Sequence, residues 1–162
     1  ARLRLACLTR KSTPTKPPKV VVLVGLPGSG KSTWAREQKL PVLSSDSIRL
    51  LLSDDEDNQR IHRPVFATLR FLLRQRLTIG MPLTVVDATN LSPRFRRDWI
   101  TIAQRHGALV EAVFFDTPLE VCQQRNQMRH RIVPSDVITA MAGILTPPTK
   151  SEGFHHVRTI RA

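Results

Sequence analysis

The sequence predicts an α/β fold in which helices cover both faces of a parallel sheet, a doubly wound arrangement. Two observations support this prediction. The run VVVLVGL, residues 20–26, is apolar and rich in valine without polar alternation, which is typical of a parallel strand buried on both faces. Strand-like and helix-like segments then alternate along the chain. We therefore expect the first run to be the central strand.

The first half of the chain contains two further predicted strands. A helix from about residue 31 to 38 precedes the short strand PVLSSD, and SIRLLL begins another helical stretch. Residues 53–60 are polar and carry no clear pattern. Apolar residues recur at helical spacing from about 62 to 77, and Gly80 ends that helix. The segment PLTVVD, residues 82–87, is the third predicted strand.

The second half continues the alternation. Ser92 and Pro93 predict an N-cap and a first turn for a helix that stops at Gly107. ALVEAVFFD is the fourth predicted strand. A helix from Leu119 leads into the arginine-rich RNQMRHR, another helix covers about 135–145, and HHVRTI supplies a last strand.

Length and composition fit one folded domain. The 162 residues are 41% hydrophobic, which is enough for a single core. The proline-rich segment STPTKPPK favours an extended linker. We therefore expect residues 1–17 to form a basic, flexible N-terminal segment or linker and residues 18–162 to form the domain. Because the sequence begins with Ala1, it suggests an excised part of a longer chain.

Cysteine usage and hydropathy indicate the compartment. Cys7 and Cys122 are far apart and belong to no Cys/His cluster, so neither a disulfide framework nor a structural zinc site is indicated. No apolar run approaches the roughly 20 residues needed to cross a bilayer. We expect a cytoplasmic protein with no membrane partner.

The net charge of +12 favours a nucleic-acid partner only weakly. Lysine and arginine neutralise phosphates, but residues 1–19 hold six basic side chains and no acid, so half the excess lies in this N-terminal segment. A site that transfers phosphate also needs basic residues for its own chemistry.

The strongest motif in the sequence is GLPGSGKS, residues 25–32, which matches the phosphate-binding pattern GxxxxGK[ST] directly between a strand and a helix. Its backbone N–H groups and Lys31 bind phosphates, and Ser32 can ligate Mg²⁺. A glycine-rich turn without a ligand is the alternative, and the complete motif argues against it. The predicted nucleotide-binding residues are Gly25, Gly28, Ser29, Gly30, Lys31, Ser32 and Thr33.

Two carboxylates follow predicted strands, where side chains point to the ligand crevice. Asp46 could accept the proton of an attacking hydroxyl while Arg49 holds an acceptor phosphate, or it could simply cap the next helix. Asp87 ends the third strand, as the metal-associated carboxylate of a P-loop enzyme does, although a turn aspartate remains the alternative.

Two basic runs are present. Arg125 and Arg129 are four residues apart, so they are predicted to share one helix face, which either binds transferring phosphate or is solvated. In SPRFRRDW, a solvated face is the favoured interpretation of Arg94, Arg96 and Arg97.

In this order, GLPGSGKST, SDSIR, VVDATN and RNQMR followed by VPSDVITAM resemble the kinase domain of the polynucleotide 5′-hydroxyl kinase family, which includes phage and bacterial nucleic-acid repair enzymes. The resemblance extends over residues 20–157. Many unrelated proteins share the P-loop, but the ordered combination of DxxR, DxTN and RNxxR is more selective. It implies a nucleoside-kinase-like P-loop domain with an arginine-bearing helical lid.

The resemblance also implies roles for individual residues. Asp46 would be the general base for a 5′-hydroxyl end of RNA or DNA, and Arg49 would contact the acceptor phosphate. Ser32 and Asp87 would serve Mg²⁺, and ATP would be the donor. Lys31, Arg125 and Arg129 would act on the donor phosphates. Arg131 has no counterpart, and the other repair domains that accompany such kinases would be fused or associated partners.

Two other functions remain open from the sequence. A P-loop kinase acting on a small-molecule hydroxyl, such as a metabolite or sugar-nucleotide, has similar motifs around the P-loop. A nucleotide-dependent binding module would share the P-loop without catalysis, although the retained acidic and lid residues argue against it. The basic composition makes the polynucleotide acceptor our preferred interpretation.

Overall fold

A five-stranded parallel sheet lies at the centre of the molecule, in a computed structural model that describes residues 16–161. Its order is β2-β3-β1-β4-β5. The strands are β1 (Lys19–Val24), β2 (Val42–Ser44), β3 (Leu83–Asp87), β4 (Leu109–Asp116) and β5 (His156–Arg161). The first strand is central, which confirms the predicted α/β class and the position of β1. Of the predicted linker 1–17, nearly all lies outside the described residues.

Six helices connect these strands within the described part of the chain. They are α1 (Lys31–Glu37), α2 (Ser45–Ser53), α3 (His62–Thr78), α4 (Pro93–Arg105), α5 (Leu119–Gln127) and α6 (Ser135–Ile144). Short 3₁₀ turns cover Gln59–Ile61 and Lys150–Glu152. Residues 16–161 contain no helix long and apolar enough to cross a membrane.

The core lies on both faces of the sheet because β1 is buried on both. Val20, Val22 and Val24 pack against α3 and α4, where Leu69 and Trp99 are fully buried. Val21 and Leu23 point to the other face and pack with residues of α1. A third cluster joins Leu26, in the loop after β1, to Cys122 of α5 and Ile138 of α6. Burial on both faces explains why the apolar run of β1 shows no alternation.

The structure corrects the predicted ends of two elements near the site. The first strand ends at Val24, so Gly25 and Leu26 belong to the following loop. Helix α2 begins at Ser45 instead of Ser47, and the Ser44 side chain accepts a hydrogen bond from the Ser47 N–H as its N-cap. Asp46 therefore lies in the first turn of α2 and is not the residue that caps it.

Two predictions about arginines are wrong. Arg96 is not on a solvated face: it is completely buried, and its guanidinium donates two hydrogen bonds of 2.7 Å to the carboxylate of Glu152. Arg125 and Arg129 do not share a helix face, because α5 ends at Gln127 and Arg129 lies in the following turn. Arg94 and Arg97 are exposed as predicted.

Candidate active site

The predicted site residues meet in one cleft at the carboxyl ends of β1, β2 and β3, which is where open parallel sheets bind ligands. Its volume is about 1110 Å³. The cleft is lined by Gly28, Ser29, Gly30, Lys31, Ser32, Thr33, Asp46, Arg49, Asp87, Arg125 and Arg129. Gly25 is buried behind the loop instead of lining the cleft.

The loop between β1 and α1 requires glycine where it passes closest to α5. Gly28 has φ +81°, and a Cβ there would collide with the carbonyl oxygen of Cys122 in α5. Gly30 is the N-cap of α1 with φ +97°, and a Cβ on it would lie 4.0 Å from Arg125 Nη1. A hydrogen bond of 3.2 Å from Thr117 Oγ1 to the Ser29 carbonyl also ties the loop to the start of α5. The loop is therefore packed against the segment that carries the lid.

Lys31 is buried inside this loop and is bonded to the loop's own backbone. Its Nζ donates to the carbonyl oxygens of Gly25 at 2.9 Å and Leu26 at 2.6 Å. Burial lowers the pKa of Lys31 from 10.5 to about 8, while the attraction of Asp87 opposes that change. The ammonium group thus has neutral partners that anionic phosphate oxygens could replace.

Ser32 and Asp87 form the part of the cleft suited to a divalent cation. Ser32 Oγ donates a 2.6 Å hydrogen bond to Asp87 Oδ2, and Asp87 is 6% exposed. Burial raises the pKa of Asp87, and the hydrogen bond from Ser32 and the charge of Lys31 oppose that rise. Mg²⁺ prefers oxygen ligands, and here a hydroxyl and a carboxylate lie next to each other at the phosphate loop. These residues therefore fit the ion.

Asp46 and Arg49 lie on α2 and line the same cleft. Arg49 Nη1 donates to Asp46 Oδ1 at 2.9 Å. The Arg49 side chain is 5% exposed, and its Nε is buried without a hydrogen-bond partner among residues 16–161. A buried unpaired donor is unfavourable by about 1–3 kcal/mol, so the Arg49 guanidinium retains one donor that residues 16–161 do not satisfy.

The predicted lid consists of the end of α5 and the short loop that follows it. Arg125 and Arg129 are exposed and line the cleft from this side. Asn126 Nδ2 donates to the Val133 carbonyl at 2.7 Å, and Val133 N–H donates to Asn126 Oδ1 at 3.1 Å. These two hydrogen bonds close the loop of residues 127–132 at its base. The exposed Arg129 therefore extends from a loop whose base is fixed, while Arg125 extends from α5 itself.

Sequence reasoning assigned no role to several residues that line the cleft. Arg131 Nη1 donates to Asp46 Oδ1 at 2.7 Å, and Arg131 Nε lies 2.6 Å from Asp57 Oδ1 in a second ion pair. His62 packs on Phe66 with ring centroids 4.4 Å apart, and burial and then Arg49 lower the pKa of His62. The acidic run DDED, residues 54–57, in an otherwise basic chain was the available signal for Asp57.

A buried polar network fixes the loop after β3. Asn90 Nδ2 donates to the Leu23 carbonyl at 2.7 Å, and Trp99 Nε1 donates to Asn90 Oδ1 at 2.9 Å. Arg96 Nη1 donates to the carbonyls of Asn90 at 2.9 Å and Thr146 at 3.0 Å, while Nε and Nη2 donate to Glu152. Asn90 and Glu152 therefore hold the scaffold behind Asp87.

Comparison with known families decides the classification. The family model described as the AAA domain matches residues 20–148. The chain belongs to this family. The match covers every site residue described above, from the phosphate loop to the lid of this AAA domain.

Known relatives of this AAA domain include kinases. It is 24% identical over 148 residues to a bifunctional polynucleotide phosphatase/kinase of Schizosaccharomyces pombe, covering 87% of this chain and 33% of that protein. It is 26% identical over 141 residues to an L-seryl-tRNA(Sec) kinase of Methanococcus maripaludis, covering 81% of this chain and 54% of that protein.

A solved structure agrees with these relatives. A chain in the structure of the Pnkp1/Rnl/Hen1 RNA repair complex matches this AAA domain with a TM-score of 0.69 and 25% identity, covering 83% of this chain and 46% of that one. The domain thus spans a third to about half of these relatives. The matches confirm the resemblance to the polynucleotide kinase family and identify a P-loop kinase domain.

Proposed function

We propose that this chain is an ATP-dependent kinase that transfers the γ-phosphate to the 5′-hydroxyl end of RNA or DNA in nucleic-acid repair. The observation that carries the proposal is that Asp46 and Arg49 line the same cleft as Lys31. The cleft has a phosphate loop, and it also has a carboxylate beside a buried arginine whose Nε has no partner among residues 16–161. Such a site suits a hydroxyl acceptor that carries its own phosphate.

The proposed reaction needs one proton acceptor and several cations. The acceptor oxygen attacks the γ-phosphorus in line, its proton passes to Asp46, and the bond from the γ-phosphorus to the bridging oxygen of ADP breaks. Both ion pairs of Asp46 within residues 16–161 use Oδ1, so Oδ2 is the oxygen placed to take the proton. Lys31, Arg125 and Arg129 stabilise the charge that spreads over the transferring group.

Ser32 and Asp87 would hold Mg²⁺ in this mechanism. The ion would supply charge neutralisation between the donor phosphates. Burial makes Asp87 a poorly solvated carboxylate, and the Ser32 hydroxyl, the Lys31 ammonium and a cation would each favour its ionised form.

Two observations support a polynucleotide as the acceptor: the relatives of the chain and its basic composition. Two of the relatives described above are named for polynucleotide phosphorylation or RNA repair. The chain carries 25 basic and 13 acidic residues, which favours association with a polyanion. A small metabolite as acceptor would not require this excess, so we place the polynucleotide first.

The test is a transfer assay. The protein is incubated with γ-labelled ATP, Mg²⁺ and matched RNA and DNA oligonucleotides that carry either a 5′-hydroxyl or a 5′-phosphate. We expect label on the 5′-hydroxyl strands alone. ATP binding without any labelled strand would contradict the proposal and favour a small-molecule kinase, and binding without acceptor-stimulated ADP release in a metabolite screen would favour a binding module.

The Asp46→Asn variant tests the proposed base. We expect kcat to fall by about 10²-fold or more, the usual contribution of a general base, while ATP binding stays within about twofold. Asp98→Asn is the matched control because Asp98 is an exposed carboxylate on α4 that pairs with Arg70 outside the cleft. Unaltered turnover of Asp46→Asn would refute the assignment.

A further inference from the structure

Helices α3 and α4 carry a large part of the positive charge of the chain. Together they contain eight arginines, no lysine and one acidic residue, Asp98, while the net charge of the whole chain is +12. Arg96 is buried against Glu152, and the half-buried Arg76 donates to Thr84. The other six arginines lie at the surface of the two helices: Arg63, Arg70, Arg74, Arg94, Arg97 and Arg105.

The two helices adjoin each other next to the cleft. Phe66 of α3 lines the cleft, and its ring centroid lies 6.2 Å from that of Trp99 in α4. One turn further along α3, Arg70 Nη1 lies 3.1 Å from Asp98 Oδ2 of α4. A surface that begins at the rim of the cleft therefore continues over both helices. We call it the α3–α4 face, and it consists of Arg63, Arg70 and Arg74 on α3 and Arg94, Phe95 and Asp98 on α4.

The arginines of the α3–α4 face are mostly unpaired. Arg63, Arg70 and Arg74 are separated by seven and four residues, so they lie on one side of α3. Arg94 is four residues before Asp98 on α4. Asp98 pairs with Arg70, and the other three arginines have no acidic partner within residues 16–161. Because like charges repel each other, this face is suited to a polyanion that neutralises it.

An exposed aromatic side chain lies among these arginines. Phe95 is in the first turn of α4, directly after Arg94, and is 46% exposed. Aromatic side chains stack on nucleobases, and the bases of a single strand are accessible for stacking, whereas those of a duplex already stack on one another. Arginines alone would suit any polyanion, but arginines together with an exposed phenylalanine favour single-stranded nucleic acid.

We propose that the α3–α4 face binds a single-stranded stretch of the polynucleotide whose 5′ end occupies the cleft. The inference rests on the proposed function for the direction of the strand. The 5′-terminal nucleotide lies in the cleft, and the nucleotides that follow it pass His62 at the rim and continue along α3. The arginines contact phosphates, which positions the strand without reading its sequence, and Phe95 stacks on a base.

The length of α3 determines how long the strand must be. Arg74 is 12 positions after His62, a distance of about 18 Å at the 1.5 Å rise of an α-helix. Phosphates in a helical strand are about 3.4 Å apart along the axis, so at most about five of them fit between the rim and Arg74. A dinucleotide in the cleft is therefore too short to reach Arg74, and a strand of about 12 nucleotides is long enough.

The experiment measures binding, which requires no transfer. Fluorescence anisotropy gives the Kd of an unstructured strand of about 12 nucleotides, with a 5′-hydroxyl and a 3′ fluorophore, at several salt concentrations. DNA and RNA are both measured, and the more tightly bound of the two is used. Wild type is compared with Arg74→Gln, Arg94→Gln and the matched control Arg158→Gln, at an exposed arginine of β5 outside the cleft. Thermal unfolding confirms that each variant is folded.

The salt dependence of binding counts the phosphate contacts. We expect Arg74→Gln and Arg94→Gln each to reduce the slope of log K against log salt concentration by about 0.7 and to weaken binding about fivefold at 0.1 M salt, the effect of one phosphate contact with a single strand. Arg158→Gln should change neither quantity. A dinucleotide, measured as a competitor, should bind wild type and Arg74→Gln within about twofold. Wild-type Kd and slope in both α3–α4 variants, or an equal loss with the dinucleotide, would overturn the inference.

Phe95 and a duplex test whether the strand is single. We expect Phe95→Ala to weaken binding about fivefold or more, and Phe95→Leu, which keeps an apolar side chain without a ring, to weaken it nearly as much. A blunt duplex of the same sequence and a polyglutamate peptide of similar charge should compete several-fold less well than the single strand. If Phe95→Leu binds like wild type, or if the duplex or the peptide competes equally, the face binds polyanions in general and the assignment to a single strand is wrong.

The binding results also separate this inference from the proposed function. If no strand is phosphorylated but the variants change affinity and salt slope as expected, the proposed function fails and the α3–α4 face remains a surface for single-stranded nucleic acid. If 5′-hydroxyl strands are phosphorylated and the variants bind like wild type, the inference alone fails.

Discussion

Replacing Lys31 by methionine should stabilise the unliganded chain at pH 7, although it removes the residue that would bind the donor phosphates. The methionine keeps the length of the side chain and removes its charge. The fall in the pKa of Lys31 from 10.5 to about 8 corresponds to about 3 kcal/mol of unfavourable free energy for the buried ammonium, with the attraction of Asp87 already included. Loss of the hydrogen bonds to the Gly25 and Leu26 carbonyls offsets about 1–2 kcal/mol of this.

The sign of the pH dependence follows from the direction of this pKa change. Below about pH 8, Lys31 is protonated in both folded and unfolded chains, and the full destabilisation is present. Between about 8 and 10.5 the unfolded chain binds the proton and the folded chain does not, so wild-type stability rises with pH. By pH 9.5 the unfavourable free energy falls to about 1 kcal/mol, and the advantage of the methionine variant should disappear.

Urea unfolding at pH 7 and pH 9.5 measures both effects. We expect Lys31→Met to be about 1–2 kcal/mol more stable than wild type at pH 7 and no more stable at pH 9.5. ATP should raise the stability of wild type and not of the variant. Lys150→Met, at an exposed lysine, is the control. A variant that is less stable at pH 7, or a stability difference that does not change with pH, would refute the reasoning.

Two further substitutions test the scaffold behind the site. Gly28→Ala should weaken ATP binding at least about tenfold. Gly80 has the same φ of +81° but nothing within 4 Å of an added Cβ, so Gly80→Ala should lower the free energy of unfolding only by the about 1–2 kcal/mol of left-handed strain. Equal effects of the two variants in equilibrium binding and urea unfolding would contradict the packing argument. Arg96→Met should lower the free energy of unfolding by about 3–5 kcal/mol because it leaves the Glu152 carboxylate, which is 11% exposed, without its partner. The double variant Arg96→Met with Glu152→Leu should recover part of that loss. If the free energy of unfolding of Arg96→Met, measured in urea, lies within about 1 kcal/mol of that of wild type, the buried pair is not a source of stability.

The sheet and the phosphate loop could be predicted because their signals are local. Burial of β1 on both faces requires an uninterrupted apolar run, and the loop needs a lysine and small residues at fixed spacing. Asp87 was found because it directly follows such a run. Element ends were less accurate, since the boundary between β2 and α2 depends on the Ser44 side-chain cap.

The contacts that sequence reasoning missed join distant segments. Arg96 and Glu152 are 56 positions apart, and a run of three arginines gives no sign that its middle member is fully buried. Arg131 and Asp46 are 85 positions apart. Periodicity predicts which face of a helix is apolar, but it does not predict which loop faces which helix across a cleft. The acidic run of residues 54–57 can be seen in the sequence, but only the structure shows that Asp57 pairs with Arg131.

The cations of the site are mostly satisfied by the protein itself, and this determines what a ligand must provide. Lys31 bonds to backbone carbonyls, and Arg131 is paired with Asp46 and Asp57, so a phosphate that binds either of these two cations replaces an existing partner. Arg49 is different, because its buried Nε has no partner within residues 16–161. An anion that reached this buried nitrogen after a shift of the Arg49 side chain would recover about 1–3 kcal/mol without displacing a protein partner from it. The acceptor side of the cleft therefore provides free energy that can offset the replacement of existing partners elsewhere in the site.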